Sequence, residues 1–274
     1  MDFLELSSTV IFDEGRIRLP VFLGLLILLL LLERLSPRRQ RTMPSTDRWF
    51  TNFGITVINT VVLRFMAPFT ATLTAAQMMD VNFGLFNVVD WPLWFEFLLT
   101  IILFDLAIYL QHVATHHIPI LWRLHKVHHA DRDIDATTAL RFHPVEIAFS
   151  MLYKVLLVVL LGPTVFAVLV FEIILNGCAM FNHANLRLPS ALDRALRLFI
   201  VTPDMHRVHH SAEIGETNSN YGFSLSIWDK IFKTYTAQPR YGHDQMTIGL
   251  NDYQTDKPNR LLWSLTLPIR NKGD

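Results

Sequence analysis

Long apolar runs alternate with polar blocks along this chain, and that alternation limits the fold more than any other feature. The first run, Leu19 to Leu32, is broken only by Pro20 and Gly24, and Ile17 and Leu35 extend it toward the ~20 residues that cross a bilayer. The leader before it carries Asp2, Glu5, Asp13 and Glu14 in place of the basic start of a secretory signal, so the run is expected to persist as a span. A second stretch, Phe53 to Ala76, contains Asn59 and Arg64 and reads as a tilted, protein-buried span or a re-entrant element. Trp91, Trp94 and Phe95 lead, as interfacial anchors, into a third run from Leu98 to Leu110. The last run, Val145 to Phe181, is too long for one crossing, and Gly162-Pro163 divides it into two helices.

Arg34, Arg38, Arg39, Arg41 and Arg48 follow the first run, which puts that loop on the cytoplasmic side and the N-terminus outside. The expected fold is an all-α integral membrane protein with four to five transmembrane helices and a cytoplasmic, histidine-rich helical cap. It reads as one membrane domain over 1–274, with N-terminal transmembrane helices in 1–104, a catalytic region in 105–235 and a C-terminal tail in 236–274. The membrane is a bacterial inner membrane or the endoplasmic reticulum.

Charge and cysteine content narrow the chemistry. Only 18% of residues are charged, and the 24 basic and 24 acidic side chains cancel, so no basic excess exists to neutralise nucleic-acid phosphates. Nucleic acid is therefore not an expected partner. One cysteine, Cys178, excludes an intramolecular disulfide, a Cys-based zinc ribbon and a four-Cys cluster. Metal chemistry would rest on imidazole and oxygen.

The chain has 12 histidines, eleven of them between His112 and His210 in the polar blocks. His112/His116, His125/His128/His129 and His206/His209/His210 are spaced three and four apart, which sets imidazoles on one helical face. A lone pair of this kind is most often a surface or hydrogen-bonded pair, but two His-x-x-His-His clusters, one His-x-x-x-His and the isolated His143 and His183 are hard to attribute to coincidence. So many ligands oversupply one ion, and two ions sharing them is the natural count. Imidazole suits iron, zinc, copper and nickel alike. Asp105, Tyr109, His112 and His116 follow a 4-3-4 spacing, so a helix continuing past the third run would carry the metal site at the cytoplasmic membrane boundary, within reach of a lipid.

These residues resemble the fatty acid hydroxylase/sterol desaturase superfamily of membrane-bound di-iron oxygenases. The resemblance covers roughly Asp105 to Tyr235 and takes in the ordered elements His-x-x-x-His, His-Lys-x-His-His, Phe-His-Pro, Asn-His-x-Asn and His-x-x-His-His, then Asn218 to Gly222 and Trp228 to Tyr235. It implies that His112, His116, His125, His128, His129, His143, His183, His206, His209 and His210 are metal ligands, holding two iron ions with zinc as a possible substitute. His117 and His243 match no motif position. Two positions depart from the family pattern: Val113 follows the first box histidine where Arg is frequent, and Lys233 replaces the Gly of the terminal Phe-Gly-Thr-Tyr signature.

The resemblance further implies O2 as co-substrate, a lipid substrate from the bilayer, hydroxylation or desaturation of a C–H bond, and a separate electron donor, a ferredoxin or small cytochrome with its reductase. A membrane metal-binding or metal-transport protein is the alternative. Asp105, Asn182, Asn185 and Asp229 are candidate outer-shell partners of the ligands, with solvation, capping or turn formation as their other reading. Glu172 has no partner nameable from sequence, Cys178 reads as packing, and Trp228 and Tyr235 read as pins between the cap and the membrane helices.

Overall fold

The computed structural model of the chain describes residues 3–66 and 70–270, with side chains from residue 15 onward, so the side chains of the acidic leader lie outside the described residues. The chain is all-α: no named strand occurs among the described residues, only three isolated bridges. Helix α1 is Phe3–Leu35, α2 Ser45–Phe65, α3 Ala71–Asp80, α4 Leu85–Val88 and α5 Leu93–His117. The remainder are α6 Pro119–His129, α7 Pro144–Leu161, α8 Val165–His183, α9 Ser190–Leu196, α10 Pro203–His209, α11 Ile214–Thr217, α12 Ile227–Ile231, α13 Gly242–Gln245 and α14 Leu261–Thr266.

Among the described residues, four segments are long and apolar enough to cross a membrane: Gly15–Leu35, Leu93–His117, Pro144–Leu161 and Val165–His183. Most of their exposed side chains are leucines, isoleucines, valines and aromatics, the composition of a surface that faces lipid rather than water, with Arg16, Arg34 and His117 exposed near the segment ends. The break at Gly162-Pro163 is where the sequence places it. Gly162 caps α7 in the left-handed region at φ 65°, and Thr164 caps α8 by accepting the Ala167 N–H. A side chain at Gly162 would collide with Asn87 and with the Phe83 carbonyl, because the residue 83–87 turn packs directly on this corner.

The Phe53 to Ala76 stretch is two helices rather than one. α2 starts beside the histidines, where Arg48 meets Asp131 and Asp135, and α3 leads to the turn that packs on Gly162. The pair therefore runs from the histidine end to the α7–α8 corner as a broken element, with residues 67–69 of the connection outside the described set. Asn59, costly against lipid, is turned inward and donates to the Phe142 carbonyl.

The third helix continues to His117, beyond Leu110, so His112 and His116 sit in the last turns of a candidate span, and His183 ends another. The expectation that the histidines fall outside the apolar segments is corrected to this extent: four of them, His112, His116, His117 and His183, belong to the ends of those helices. Glu172 also gains partners, Lys154 on α7 at 2.5 Å and Arg18 on α1 at 2.6 Å, which join three helices through one buried carboxylate. Residues 236–270 fold back over the cap, and Tyr253, Trp263 and Leu267 pack with Ile55 of α2 and Val127 of α6.

A buried ionic node fixes the histidine end. Arg48 is fully buried; its guanidinium takes both oxygens of Asp131, at 2.6 and 2.9 Å, and Asp135 at 2.7 Å. Burial opposes its charge, but the two carboxylates hold its pKa above the ordinary arginine value. Glu33 at the end of α1 accepts the N–H groups of Ala136 and Asn185, tying α1 to the same loop and to the end of α8. Three further arginines of the 34–48 run also fold onto the cap: Arg38 pairs with Asp204 and Asp244, Arg39 donates to the His243 carbonyl, and Arg41 pairs with Glu33.

Removing one partner of a buried pair strands the other charges. Arg48→Met is expected to lower unfolding stability in detergent by ~3–5 kcal/mol, measured by thermal or denaturant titration.

Candidate metal centre

Each His-x-x-His-His turn faces two ways. Residues four apart on a helix are offset by about 40° in one sense and residues three apart by about 60° in the other, so the middle histidine of each turn diverges from the outer two. On α6, His125 and His129 point to one place and His128 to another; on α10 and its cap, His206 and His210 point together and His209 diverges. Two compact groups result. His112, His116, His125, His129 and His209 form one, and His128, His183, His206 and His210 the other, with the candidate ligand atoms of each group within 4.8 Å of one another. The groups abut, since the rings of His129 and His210 stack with centroids 4.6 Å apart.

Nine of the ten histidines singled out from the sequence are brought together in this way. His143 stands apart. Its Nδ1 caps α7 by accepting the Val145 N–H, and its Nε2 donates to the Leu265 carbonyl at 3.1 Å, so both ring nitrogens are already engaged. His117 meets the Tyr221 hydroxyl at the rim, and His243 lies buried near Asp204.

The atoms behind the rings set their tautomers. His112 Nδ1 donates to the Tyr221 carbonyl, His183 Nδ1 to Ala179, His209 Nδ1 to Ser219 and His125 Nδ1 to the Glu146 carboxylate, all at 2.6–2.7 Å. Each of these rings therefore presents an unprotonated Nε2 inward. Burial, reinforced by the neighbouring imidazoles, also holds the pKa values of His128, His129, His206, His209 and His210 well below the ordinary histidine value, so these rings are neutral at pH 7.

The donor set fits metal ions. His112 Nε2 and His125 Nε2, both lone-pair atoms, face each other at 3.1 Å, and His183 Nε2 lies 3.0 Å from His128 Nε2 and 3.1 Å from His206 Nε2. Facing lone pairs repel unless a cation lies among them. Nitrogens about 2.1 Å from a shared ion stand roughly 3 to 3.4 Å apart, which matches these separations. His116 Nε2, His129 Nε2, His209 Nε2 and His210 Nε2 are buried without a hydrogen-bond partner, an arrangement that a bound cation would satisfy.

The four candidate outer-shell residues act at one remove. Asp105 accepts the Trp228 indole N–H and the Leu225 N–H; Asp229 accepts the N–H groups of Tyr221 and Gly222 and the Thr234 hydroxyl. They fix the loop whose Ser219 and Tyr221 carbonyls receive His209 and His112. Asn182 donates to the Phe223 carbonyl, and Asn185 brackets the Arg39 backbone. The groups that contact the clustered rings directly include two that sequence reasoning missed, Glu146 on His125 and Asn218 on His116. Glu146 carries no spacing signal, because it lies 21 residues from its partner; Asn218 lies inside the Asn218 to Gly222 element of the family resemblance, without a stated role.

Lys233, at the position where the family signature has Gly, adopts φ 59°. This left-handed backbone is natural for glycine and costs other residues ~1–2 kcal/mol.

A family model described as fatty acid hydroxylase matches residues 97–234. Among curated proteins, ornithine lipid hydroxylase OlsE of Rhizobium tropici is 26% identical over 225 residues, covering 80% of this chain and 67% of that protein. Alkylglycerol monooxygenase of Homo sapiens is 31% identical over 179 residues, covering 64% of this chain and 38% of that protein. Cholesterol 25-hydroxylase of Rattus norvegicus is 26% identical over 144 residues, covering 52% and 47%. The match thus spans well under half of the human relative. No solved structure matches the chain.

Two measurements follow. Metal analysis of detergent-purified variants should show His128→Ala losing half or more of the bound metal while His143→Ala retains the wild-type amount; equal loss in both would contradict the two groups. Lys233→Gly should raise stability by about 1 kcal/mol in denaturant titration.

Proposed function

The chain belongs to the fatty acid hydroxylase family of oxidoreductases, and from that premise we propose that it is a membrane-embedded lipid hydroxylase with a di-iron centre. The observation that carries the reading is an apolar cavity directly beneath the first histidine group. A space of about 170 Å³ is lined by His112 and His125 with Ile108, Phe142, Leu175 and Phe223, and also by the polar side chains of Gln111, Thr115, Glu146, Ser150 and Lys154. It shares Ala139, Phe142, Ile147 and Asn176 with a larger groove of about 710 Å³ whose walls include Leu19, Phe22, Leu25 and Leu63 of α1 and α2. An alkyl chain fits such walls, and a groove bounded by span helices receives it from the bilayer.

In this reading His112, His116, His125, His129 and His209 hold one iron and His128, His183, His206 and His210 the other, with zinc able to substitute. The bound irons supply activation of O2. The protein's own contribution is to aim His112, His125, His183 and His209 through Glu146 and the carbonyls of residues 179, 219 and 221, and to keep the reacting carbon in a dry cavity. Conversion of C–H to C–OH and water consumes O2, two electrons and two protons, and a ferredoxin or a small cytochrome with its reductase provides the electrons. The matched relatives are named as hydroxylases and monooxygenases, which favours hydroxylation over desaturation. Metal transport is disfavoured by the compactness of the groups, since a pathway would string its ligands along a span. The arginines at 34–48 favour a cytoplasmic histidine end, in a bacterial inner membrane or the endoplasmic reticulum.

Lipid mass spectrometry of cells with and without the protein tests the reading: one lipid class should gain sixteen mass units. Ala139→Phe, which fills the wall common to cavity and groove, should lower product formation at least about tenfold with iron content unchanged. Wild-type turnover in that variant would exclude the cavity as the substrate site.

A further inference from the structure

The first histidine group has a second opening. Eight of the nine clustered histidines are buried, whereas His116 is partly exposed. Its Nε2 is buried, while its Nδ1 meets the Asn218 side-chain oxygen at 3.2 Å. His116 and Asn218 line a cleft of about 680 Å³ that shares no lining residue with the lipid cavity or its groove.

Two features of the cleft point to its occupant. Trp122 lies in its wall, with its ring centroid 5.0 Å from that of His116 and 5.5 Å from that of His129, so an aromatic contact leads from the surface to two clustered imidazoles. The rim carries Arg123, Lys126 and Arg270 against the carboxylate of Asp252, three cations against one anion, an excess of two positive charges in a chain whose net charge is zero. Lys126 lies over Tyr253 and Arg270 over Trp263, each 5.8 Å from the ring centroid, which holds these cations at the rim.

We propose that this cleft docks an acidic one-electron carrier protein, and that Trp122 and His116 form the contact through which its electrons reach the first histidine group. The proposal rests on the hydroxylase reading for the need of electrons, and on the cleft alone for the place. Each docking event oxidises the carrier by one electron and reduces the centre by one; two events, with two protons from water, meet the stoichiometry of hydroxylation. Complementary charge steers such an encounter and makes it sensitive to salt.

The probe is an acidic [2Fe–2S] ferredoxin titrated onto the detergent-purified full chain at low ionic strength. The wild-type chain binds it, and added salt weakens the binding. The double variant Arg123→Glu/Arg270→Glu should raise Kd at least about tenfold, while Arg194→Glu, an exposed cation on α9 outside the cleft, leaves it within about twofold. Should the double reversal disturb the thermal transition, the single neutralisation Arg123→Gln serves in its place, with an expected rise of about threefold. Wild-type affinity in the charge variants, or no binding of ferredoxin to the wild-type chain, overturns the proposal. It is also overturned if the variants lose binding to phosphatidylglycerol vesicles while ferredoxin affinity is unchanged, which would assign the cleft to lipid headgroups. Because the readout is affinity, a chain that binds ferredoxin as expected but yields no hydroxylated lipid counts against the hydroxylase reading and leaves the docking surface standing.

Discussion

Imidazoles packed this closely stay usable as ligands only if they carry no extra proton that repels their neighbours, and burial supplies that condition at His128, His129, His206, His209 and His210. Desolvation disfavours the imidazolium form, and each added ring disfavours it further. The carbonyls of Ala179, Ser219 and Tyr221 and the Glu146 carboxylate then fix which nitrogen keeps its hydrogen. Much of the cap can be understood as support for those four acceptors. Asp229 and Asp105 hold the loop that carries two of them, the first turn of α7 presents the third as Glu146, and the fourth belongs to α8 itself.

The ionic node at Arg48 serves the same end from outside. The loop of residues 131–138 follows α6 directly, and Arg48 binds its aspartates while Glu33 caps its Ala136 N–H. Arg141, also buried, reaches back to the Val127 carbonyl and across to Pro258 and Ser264. Burial lowers its pKa to about 10, which leaves it charged at neutral pH, and its donors are taken by the last turns of α6 and by the C-terminal segment. The orientation of α6, and with it three of the clustered imidazoles, is thereby tied to α1, α2 and the end of the chain.

Local spacing and apolar length were readable without a structure, because both are properties of contiguous residues. The four long spans, the break at Gly162-Pro163 and the helical turns that carry histidines are of this kind. What spacing does not encode is where one helix faces another. Nothing in His125, His128 and His129 as a string assigns the middle ring to a different group from its neighbours, since that depends on where α8 and α10 stand. His143 matched a motif, yet its position as the cap residue of α7 uses its ring in backbone bonds. Glu146, 21 residues from its partner, and Lys154, 18 from Glu172, were unreadable for the same reason. Phe53 to Ala76 was legible only as ambiguous, and the ambiguity reflects a helix interrupted between its two ends.

The alternation of rings within each His-x-x-His-His turn has a thermodynamic side. A single rigid turn of α6 faces both groups, and so does the turn that ends α10. An ion held in one group would fix the turn that presents side chains to the other, so the ordering required for a second ion would already be partly complete when the first had bound. Two such occupancies would be linked through a shared piece of backbone, and the linkage would be reciprocal. That shared turn would favour filling the centre as a pair over filling it one ion at a time.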